Sequence, residues 1–262
     1  MRKGLSLSCL LTTGLAARCR SRTPVIQIVT IPISVEKTMA RRRDRPDYFS
    51  RKAHQEQFAS RAVYKLAEID KKYRLLRSGQ RLLDLGCAPG SWLQYLSKRV
   101  GPTGLVVGVD QQPLKIALPP QVVFIQADIF TMDLEALRRL ASAFDGVLSD
   151  LAPATSGIKD VDHYRSLTLA RRAWEIAQEV LAAGGHFLVK VFAGPDLAPF
   201  RQELASSFHC LDLVKPTASR QESREVYFLG RRRRHRPPAA GQETGGSSSG
   251  PGHGISFSSA GI

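Results

Sequence analysis

The 262-residue chain contains only four cysteines, and none of them lies in a CxxC pair. None is spaced from a histidine as structural zinc ligands are, so we expect no metal site and no disulfide framework. This cysteine usage favours a reducing compartment. The chain also lacks any apolar run near the roughly 20 residues that cross a bilayer, and we therefore expect no membrane partner.

Acidic residues are also few, with 23 Asp and Glu against 38 Lys and Arg, which gives a formal net charge of +15. Such a surplus points to an acidic polymer or surface as partner. The flanks carry it: residues 82–230 hold 14 basic and 16 acidic side chains, whereas residues 41–81 hold 13 and five. We expect the basic side chains of residues 41–81 to bind phosphate groups. The run "RRRRHR" at 231–236 either adds nonspecific affinity for such an acidic partner or is a solvated tail.

Three segments are predicted along the chain. Residues 1–40 are a disordered extension, residues 41–230 a single domain with a basic N-terminal helix, and residues 231–262 a basic, then Gly/Ser-rich disordered tail. The first 38 residues are compatible with a secretory signal or an organelle presequence. We favour an upstream extension of the gene, because Met39 is a plausible start. We expect a cytoplasmic monomer, or a mitochondrial one if residues 1–38 are a presequence.

Short apolar strands alternate with amphipathic helices between residues 60 and 230. Helices are predicted at 60–76, 91–100, 133–144, 163–182 and 198–208, and strands at 81–86, 104–110, 122–128, 145–150, 185–192, 210–216 and 224–230. This alternation predicts an α/β fold with a mostly parallel seven-stranded sheet and helices on both faces. The last two strands predict an antiparallel edge, and Gly184 and Gly185 are predicted to stop a helix.

Acids end four of the predicted strands: Asp84, Asp110, Asp128 and Asp150. Each alone is a common helix cap or turn residue, but ligands of open α/β sheets bind beyond this edge. Asp110 follows the glycine turn by about 20 residues, the usual place of a partner for a ribose diol. Asp128 could accept a hydrogen bond from an adenine amino group.

The glycine turn itself, "DLGCAPGSW" at 84–92, departs from GxGxxG. Only Gly86 and Gly90 remain, and Pro89 stiffens the turn, so it offers few of the backbone N–H groups that a pyrophosphate needs. The pattern fits an adenosine ligand without phosphates, and S-adenosylmethionine is the candidate cofactor. Gly86 would allow its close approach to the backbone.

Lys190 interrupts the otherwise apolar strand "FLVKVF". It is either an edge-strand lysine that reaches solvent or a buried lysine of an inner strand, where burial favours a neutral amine that can act as a base. Lys65 in a helix and Glu225 at a strand start would by default be solvated charges.

Six segments together resemble the FtsJ/RlmE family of ribose 2′-O-methyltransferases over residues 47–230: "SRAVYKLAEID", "LLDLGCAPGSW", "GVD", "SDLAPATSG", "FLVKVF" and "KPTASRQESREVYFL". The resemblance implies a Rossmann-like methyltransferase fold that uses S-adenosylmethionine. It implies a catalytic tetrad of Lys65, Asp150, Lys190 and Glu225, with Lys190 as proton acceptor. It implies cofactor contacts at Gly90, Trp92, Asp110, Asp128 and Asp150.

The implied substrate is the ribose of a uridine in large-subunit ribosomal RNA, within the large subunit or its precursor. Relatives of the same family act on tRNA, so a tRNA ribose methyltransferase is one alternative. A noncatalytic RNA-binding factor for ribosome assembly is a second, and a nucleotide-dependent oxidoreductase is a third. The family's chemistry requires no metal.

Overall fold

Seven strands form one sheet in the computed structural model, which describes residues 48–114, 116–220 and 222–235. In chain order they are β1 Arg81–Leu85, β2 Leu105–Asp110, β3 Val122–Gln126, β4 Phe144–Ser149, β5 Leu181–Phe192, β6 Phe208–Val214 and β7 Glu225–Arg233. The predicted N-terminal extension and nearly all of the predicted C-terminal tail lie outside the described residues.

The helices of the described residues are α1 Tyr48–Gln55, α2 Val63–Tyr73, α3 Ser91–Val100, α4 Leu134–Leu140, α5 Lys159–Val180 and α6 Leu197–Ser207. Their ends follow from local sequence: α3 lies between Gly90 and Gly101, both at positive φ. Helix α4 starts after Asp133, whose carboxylate accepts a hydrogen bond from the Glu135 amide. None of these helices is long and apolar enough to cross a membrane.

The strand order across the sheet is β3-β2-β1-β4-β5-β7-β6. Strands β1 to β5 pair in parallel, whereas β7 pairs antiparallel with both β5 and β6. The α/β fold, the mostly parallel seven-stranded sheet and the antiparallel pair at one edge are confirmed. Within that pair β6 is outermost, and β7 lies directly beside β5.

Helices cover both faces of the sheet, as predicted, because alternate strand residues point to opposite sides. On one face Leu82, Leu148 and Leu188 pack with residues of α2 and α3, such as Leu66 and Leu93. On the other face, strand residues pack against α4, α5 and α6. The site described below lies on the α2 face.

The junction between α5 and β5 differs from the prediction. Helix α5 ends at Val180, and β5 begins at Leu181, so Gly184 and Gly185 lie within the strand rather than at a helix stop. The pairing of β4 with β5 shifts register beside them. Gly184 has φ +77° there, a conformation that glycine adopts without strain.

Strand β7 also runs past the predicted end of the domain. It continues through Arg233, although residues 231–262 are predicted as a tail. Arg231 forms an ion pair of 2.9 Å with Asp212, and Arg233 donates to main-chain carbonyls at the end of α5, including that of Gln178. These arginines belong to the sheet because their side chains satisfy a carboxylate and a helix C-terminus.

Candidate active site

The four tetrad residues predicted from the resemblance come together in one continuous chain of ion pairs. Lys65 Nζ lies 2.6 Å from Glu225 Oε2, and Lys190 Nζ lies 3.7 Å from Glu225 Oε1. Lys190 Nζ also lies 3.1 Å from Asp150 Oδ1 and donates to the Asp150 carbonyl at 2.6 Å. The amine of Lys190 is therefore held between two carboxylates.

The topology explains this assembly. Asp150 directly follows β4, which pairs in parallel with β5, the strand of Lys190. In the antiparallel ladder of β5 and β7, Lys190 lies opposite Tyr227 and Phe192 lies opposite Glu225. Residues directly opposite each other, and residues two apart on one strand, point to the same face. Lys65 reaches this face from α2.

Lys190 lies on an inner strand and is only 5% exposed, so of its two interpretations the structure agrees with the buried lysine. Lys65 is 8% exposed, which overturns the default expectation of a solvated helix charge. Glu225 is not a solvated strand end either, since its side chain is 20% exposed. Burial opposes its ionisation, but the charges of Lys190 and Lys65, with hydrogen bonds from Lys65 and Ser223, lower the pKa of Glu225 below its usual value.

A tyrosine that the sequence reasoning missed completes the cluster. The hydroxyl of Tyr227 donates to Asp150 Oδ1 at 2.6 Å, and the side chain is fully buried. Burial, the charge of Asp150 and this hydrogen bond raise the pKa of Tyr227 well above its usual value, so it remains a donor. The sequence signal that could have identified Tyr227 is its position two residues after Glu225 on the same strand, because two such residues point to the same face of the sheet.

A first cavity of about 620 Å³ opens at the carboxyl ends of strands β1 to β4. Four of the predicted cofactor residues line it: Gly86, Asp110, Asp128 and Asp150. This is the edge at which open α/β sheets bind ligands. The volume lies in the ordinary range for small-molecule sites.

The glycine turn offers few backbone N–H groups that could bind a phosphate. The N–H groups of Gly86 and Cys87 donate to the Val109 carbonyl, and that of Gly90 donates to Cys87. The N–H of Ala88 donates to Asp110 Oδ2 at 2.9 Å, and residue 89 is a proline. These N–H groups of the turn therefore already have acceptors within the protein, in keeping with the prediction of a ligand without phosphates.

Two carboxylates of the first cavity are held by the backbone. Asp110 accepts from Ala88 and, through Oδ1, from the Gln112 amide at 2.8 Å. Asp128 Oδ1 accepts from the Phe130 amide at 2.9 Å. Because a carboxylate oxygen has two lone-pair sites, each oxygen so used can still accept a second hydrogen bond from a ligand.

For the other two predicted cofactor residues, Gly90 and Trp92, contact with the cofactor stays a prediction. Neither lines the first cavity. The indole of Trp92 is 2% exposed, donates to the Ala62 carbonyl at 2.9 Å and lies 6.3 Å from the Tyr227 ring. Gly90 has φ +109°, and an added Cβ would overlap the side chain of Ile116.

Asp84, the acid that precedes the glycine turn, is fully buried. Neither of its carboxyl oxygens has a hydrogen-bond partner among the described residues. Burial, with the nearby charges of Asp150 and Asp110, raises the pKa of Asp84 well above its usual value. Unlike Asp110, it does not border the first cavity, and its surroundings favour a neutral carboxylic acid.

A second cavity, of about 380 Å³, opens on the other side of the tetrad. Its wall consists of Ser60, Arg61, Ala62, Lys65, Arg220, Glu222, Ser223 and Glu225. Lys65 and Glu225 border this cavity, whereas Asp150 borders the first one. Lys190, which contacts both Asp150 and Glu225, thus lies between the two cavities. Within the described ranges no three His, Cys, Asp or Glu side chains are grouped as metal ligands.

Comparison with known proteins agrees with this arrangement. The family model described as FtsJ-like methyltransferase matches residues 58–233 of this chain. A protein of Syntrophobacter fumaroxidans is 44% identical over 191 residues, which are 72% of this chain and 96% of that protein. A protein of Desulforapulum autotrophicum is 39% identical over 194 residues, covering 74% and 96%. Both are named ribosomal RNA large subunit methyltransferase E.

A solved structure from Plasmodium falciparum, described as a ribosomal RNA methyltransferase, superposes with a TM-score of 0.61. It is 29% identical and covers 68% of this chain and all of that one. The matched family segment contains every residue of the tetrad. The chain therefore belongs to the FtsJ-like methyltransferase family and is a methyltransferase.

Proposed function

We propose that the protein transfers the methyl group of S-adenosylmethionine to a ribose 2′-hydroxyl in large-subunit ribosomal RNA. The observation that carries this proposal is the position of Lys190 between two cavities. Asp150 links its amine to the first cavity and Glu225 links it to the second. A donor and an acceptor bound in the two cavities would meet at this amine.

The residues of the first cavity fit S-adenosylmethionine. Asp110 and Asp128 supply acceptors suited to a ribose diol and an adenine amino group. The turn offers no N–H from residues 86, 87, 88 or 90 to a pyrophosphate, which disfavours a dinucleotide. Asp150 adds a negative charge that would favour the cationic end of the cofactor.

The chemistry requires a base and alignment. Lys190 accepts the proton of the 2′-hydroxyl as that oxygen attacks the methyl carbon, and for this step its amine must first have given up its own proton. The new O–CH₃ bond forms as the S–CH₃ bond breaks, and S-adenosylhomocysteine leaves. Asp150 and Glu225 hold the amine in place, and much of the rate enhancement comes from the in-line placement of oxygen, carbon and sulfur.

Two observations support ribosomal RNA as substrate. The relatives named above carry ribosomal RNA large subunit methyltransferase in their names. Residues 41–81 carry a strong basic surplus, which suits binding to a phosphate backbone. We propose a uridine of the large-subunit RNA as the methylated nucleotide, and a tRNA is the alternative substrate.

Substitution Lys190→Met tests the base. It removes the amine and keeps an unbranched side chain, so we expect the methylation rate to fall by about 10²-fold or more, while calorimetry shows S-adenosylmethionine still bound. Lys71→Met is the matched control, because Lys71 is an exposed lysine on α2. A Lys190→Met protein that methylates at the wild-type rate would rule out this base.

Mapping of ribose methylation in a deletion strain tests the substrate. We expect one large-subunit RNA mark to disappear and to return with the wild-type gene but not with Lys190→Met. Loss of a tRNA mark with intact ribosomal RNA would favour the tRNA alternative. A mark restored by Lys190→Met would instead contradict the role of Lys190 as the base.

A further inference from the structure

Two arginines converge on the second cavity, and neither belongs to the tetrad. Arg61 lies just before α2, and Arg220 lies in the segment 215–224 between β6 and β7. They line the same wall as Lys65 and Glu225. Their guanidinium groups thus flank the place where an acceptor would reach the tetrad.

The segment that carries Arg220 is fastened to α2. Glu68 accepts from the Thr217 amide at 3.0 Å, from the Thr217 hydroxyl at 2.8 Å and from the Ala218 amide at 3.2 Å. Arg61 donates to the Ala218 carbonyl from the same side. These bonds hold the wall of the second cavity in place before any ligand binds, which lowers the ordering cost of binding.

The charges of this cavity favour an anion. Three cations, Arg61, Lys65 and Arg220, line it together with two acids, Glu222 and Glu225. Glu225 is paired with Lys65, which is one of these three cations, and with Lys190, which lines neither cavity. Burial and the charge of Arg220 lower the pKa of Arg61, against the opposing effect of Glu225. Two guanidiniums so close repel each other, and a bound anion would relieve that repulsion.

We propose that Arg61 and Arg220 bind a backbone phosphate of the RNA, adjacent to the ribose that is presented to Lys190. This inference rests on the proposed function and adds the subsite that positions the acceptor. A guanidinium presents two parallel N–H groups that match two phosphate oxygens. A phosphate contact fixes the register of the strand without reading its sequence.

Arg220→Gln is the test, because Arg220 is exposed on a connecting segment and its loss should not prevent folding. We expect the Kd for large-subunit RNA fragments to rise about tenfold, the loss of one charge-assisted hydrogen bond. The slope of log Kd against log salt should decrease by about one. The affinity for S-adenosylmethionine, measured by calorimetry, should be unchanged.

Arg201→Gln is the matched control, since Arg201 is an exposed arginine on α6, across the sheet from the second cavity. Arg220→Lys should keep the wild-type salt slope, because it keeps the charge. Equal affinity and slope in Arg220→Gln and Arg201→Gln would overturn the proposal, as would weaker binding with an unchanged slope. A failure of the proposed function looks different: the wild-type protein itself would then methylate no RNA.

Discussion

Substitution Tyr227→Phe removes one oxygen from the centre of the site. The Tyr227 hydroxyl and the Lys190 amine both contact Asp150 Oδ1, at 2.6 and 3.1 Å. Phenylalanine keeps the ring and its packing against Trp92. The variant therefore loses one hydrogen bond to a buried carboxylate and leaves the two cavities unchanged, since Tyr227 lines neither.

The expected size of the effect follows from that bond. A hydrogen bond to a charged group contributes about 1.5–3 kcal/mol. Asp150 borders the first cavity and its side chain is 15% exposed, so water can partly replace the lost donor, and we expect the free energy of unfolding to fall by about 1.5 kcal/mol, the lower end of that range. If only about 1.4 kcal/mol of it is lost from the orientation of Asp150 in the transition state, kcat falls about tenfold.

The assay is single-turnover methylation at saturating cofactor and RNA, with urea unfolding in parallel. Tyr95→Phe is the matched control, because Tyr95 also donates to a buried carboxylate, Asp70, at 2.9 Å, and Asp70 also carries a cation, Arg99. We expect both variants to lose stability and only Tyr227→Phe to lose kcat. An unchanged kcat in Tyr227→Phe would refute the idea that this bond orients Asp150.

Two further predictions concern residues around the glycine turn. Burial raises the pKa of Asp84 above its unfolded value, so the folded state binds more protons and its stability falls as pH rises above about 4. The difference in the free energy of unfolding between Asp84→Asn and the wild type should therefore shift in favour of the variant by up to about 1.4 kcal/mol per pH unit, as measured by urea unfolding. A difference that does not change with pH would contradict the buried acid. Gly90→Ala should lower the free energy of unfolding by about 2 kcal/mol or more, because its Cβ would overlap Ile116. Gly157→Ala, with positive φ but nothing within 4 Å, should cost only about 1 kcal/mol.

The order of elements could be predicted because each follows from local periodicity. Helix α3 begins and ends where it was predicted, at Ser91 and Val100, because glycines flank a strongly amphipathic segment. The Gly-Gly pair misled the prediction of β5, since a glycine pair breaks a helix and permits an irregular strand equally well. The predicted end of the domain lies before Arg233, because only the fold shows that helix carbonyls lie beside this arginine.

Composition and spacing alone marked Lys190, because a lysine among apolar strand residues is conspicuous. Lys65 and Glu225 were predicted only through the resemblance, since each looks like an ordinary surface charge until the fold brings them within 2.6 Å. The second cavity was not predictable, because Arg61 and Arg220 are 159 positions apart in the sequence. They meet through contacts that Glu68 and Arg61 make with Thr217 and Ala218. Trp92 is a motif residue whose side chain is buried and donates to the Ala62 carbonyl, so its contact with the cofactor stays a prediction.

The antiparallel insertion of β7 brings the tetrad together at one edge of a mostly parallel sheet. Strand β5 supplies Lys190 near its carboxyl end, where every parallel neighbour would also end. A strand that runs the other way instead begins there, so Glu225, its first residue, and Tyr227 both face Lys190. The segment that precedes β7 must then cross the same edge, and this brings Arg220 to the mouth of the second cavity. One reversed strand and the segment before it thus contribute a carboxylate, a hydroxyl and part of the wall of the second cavity.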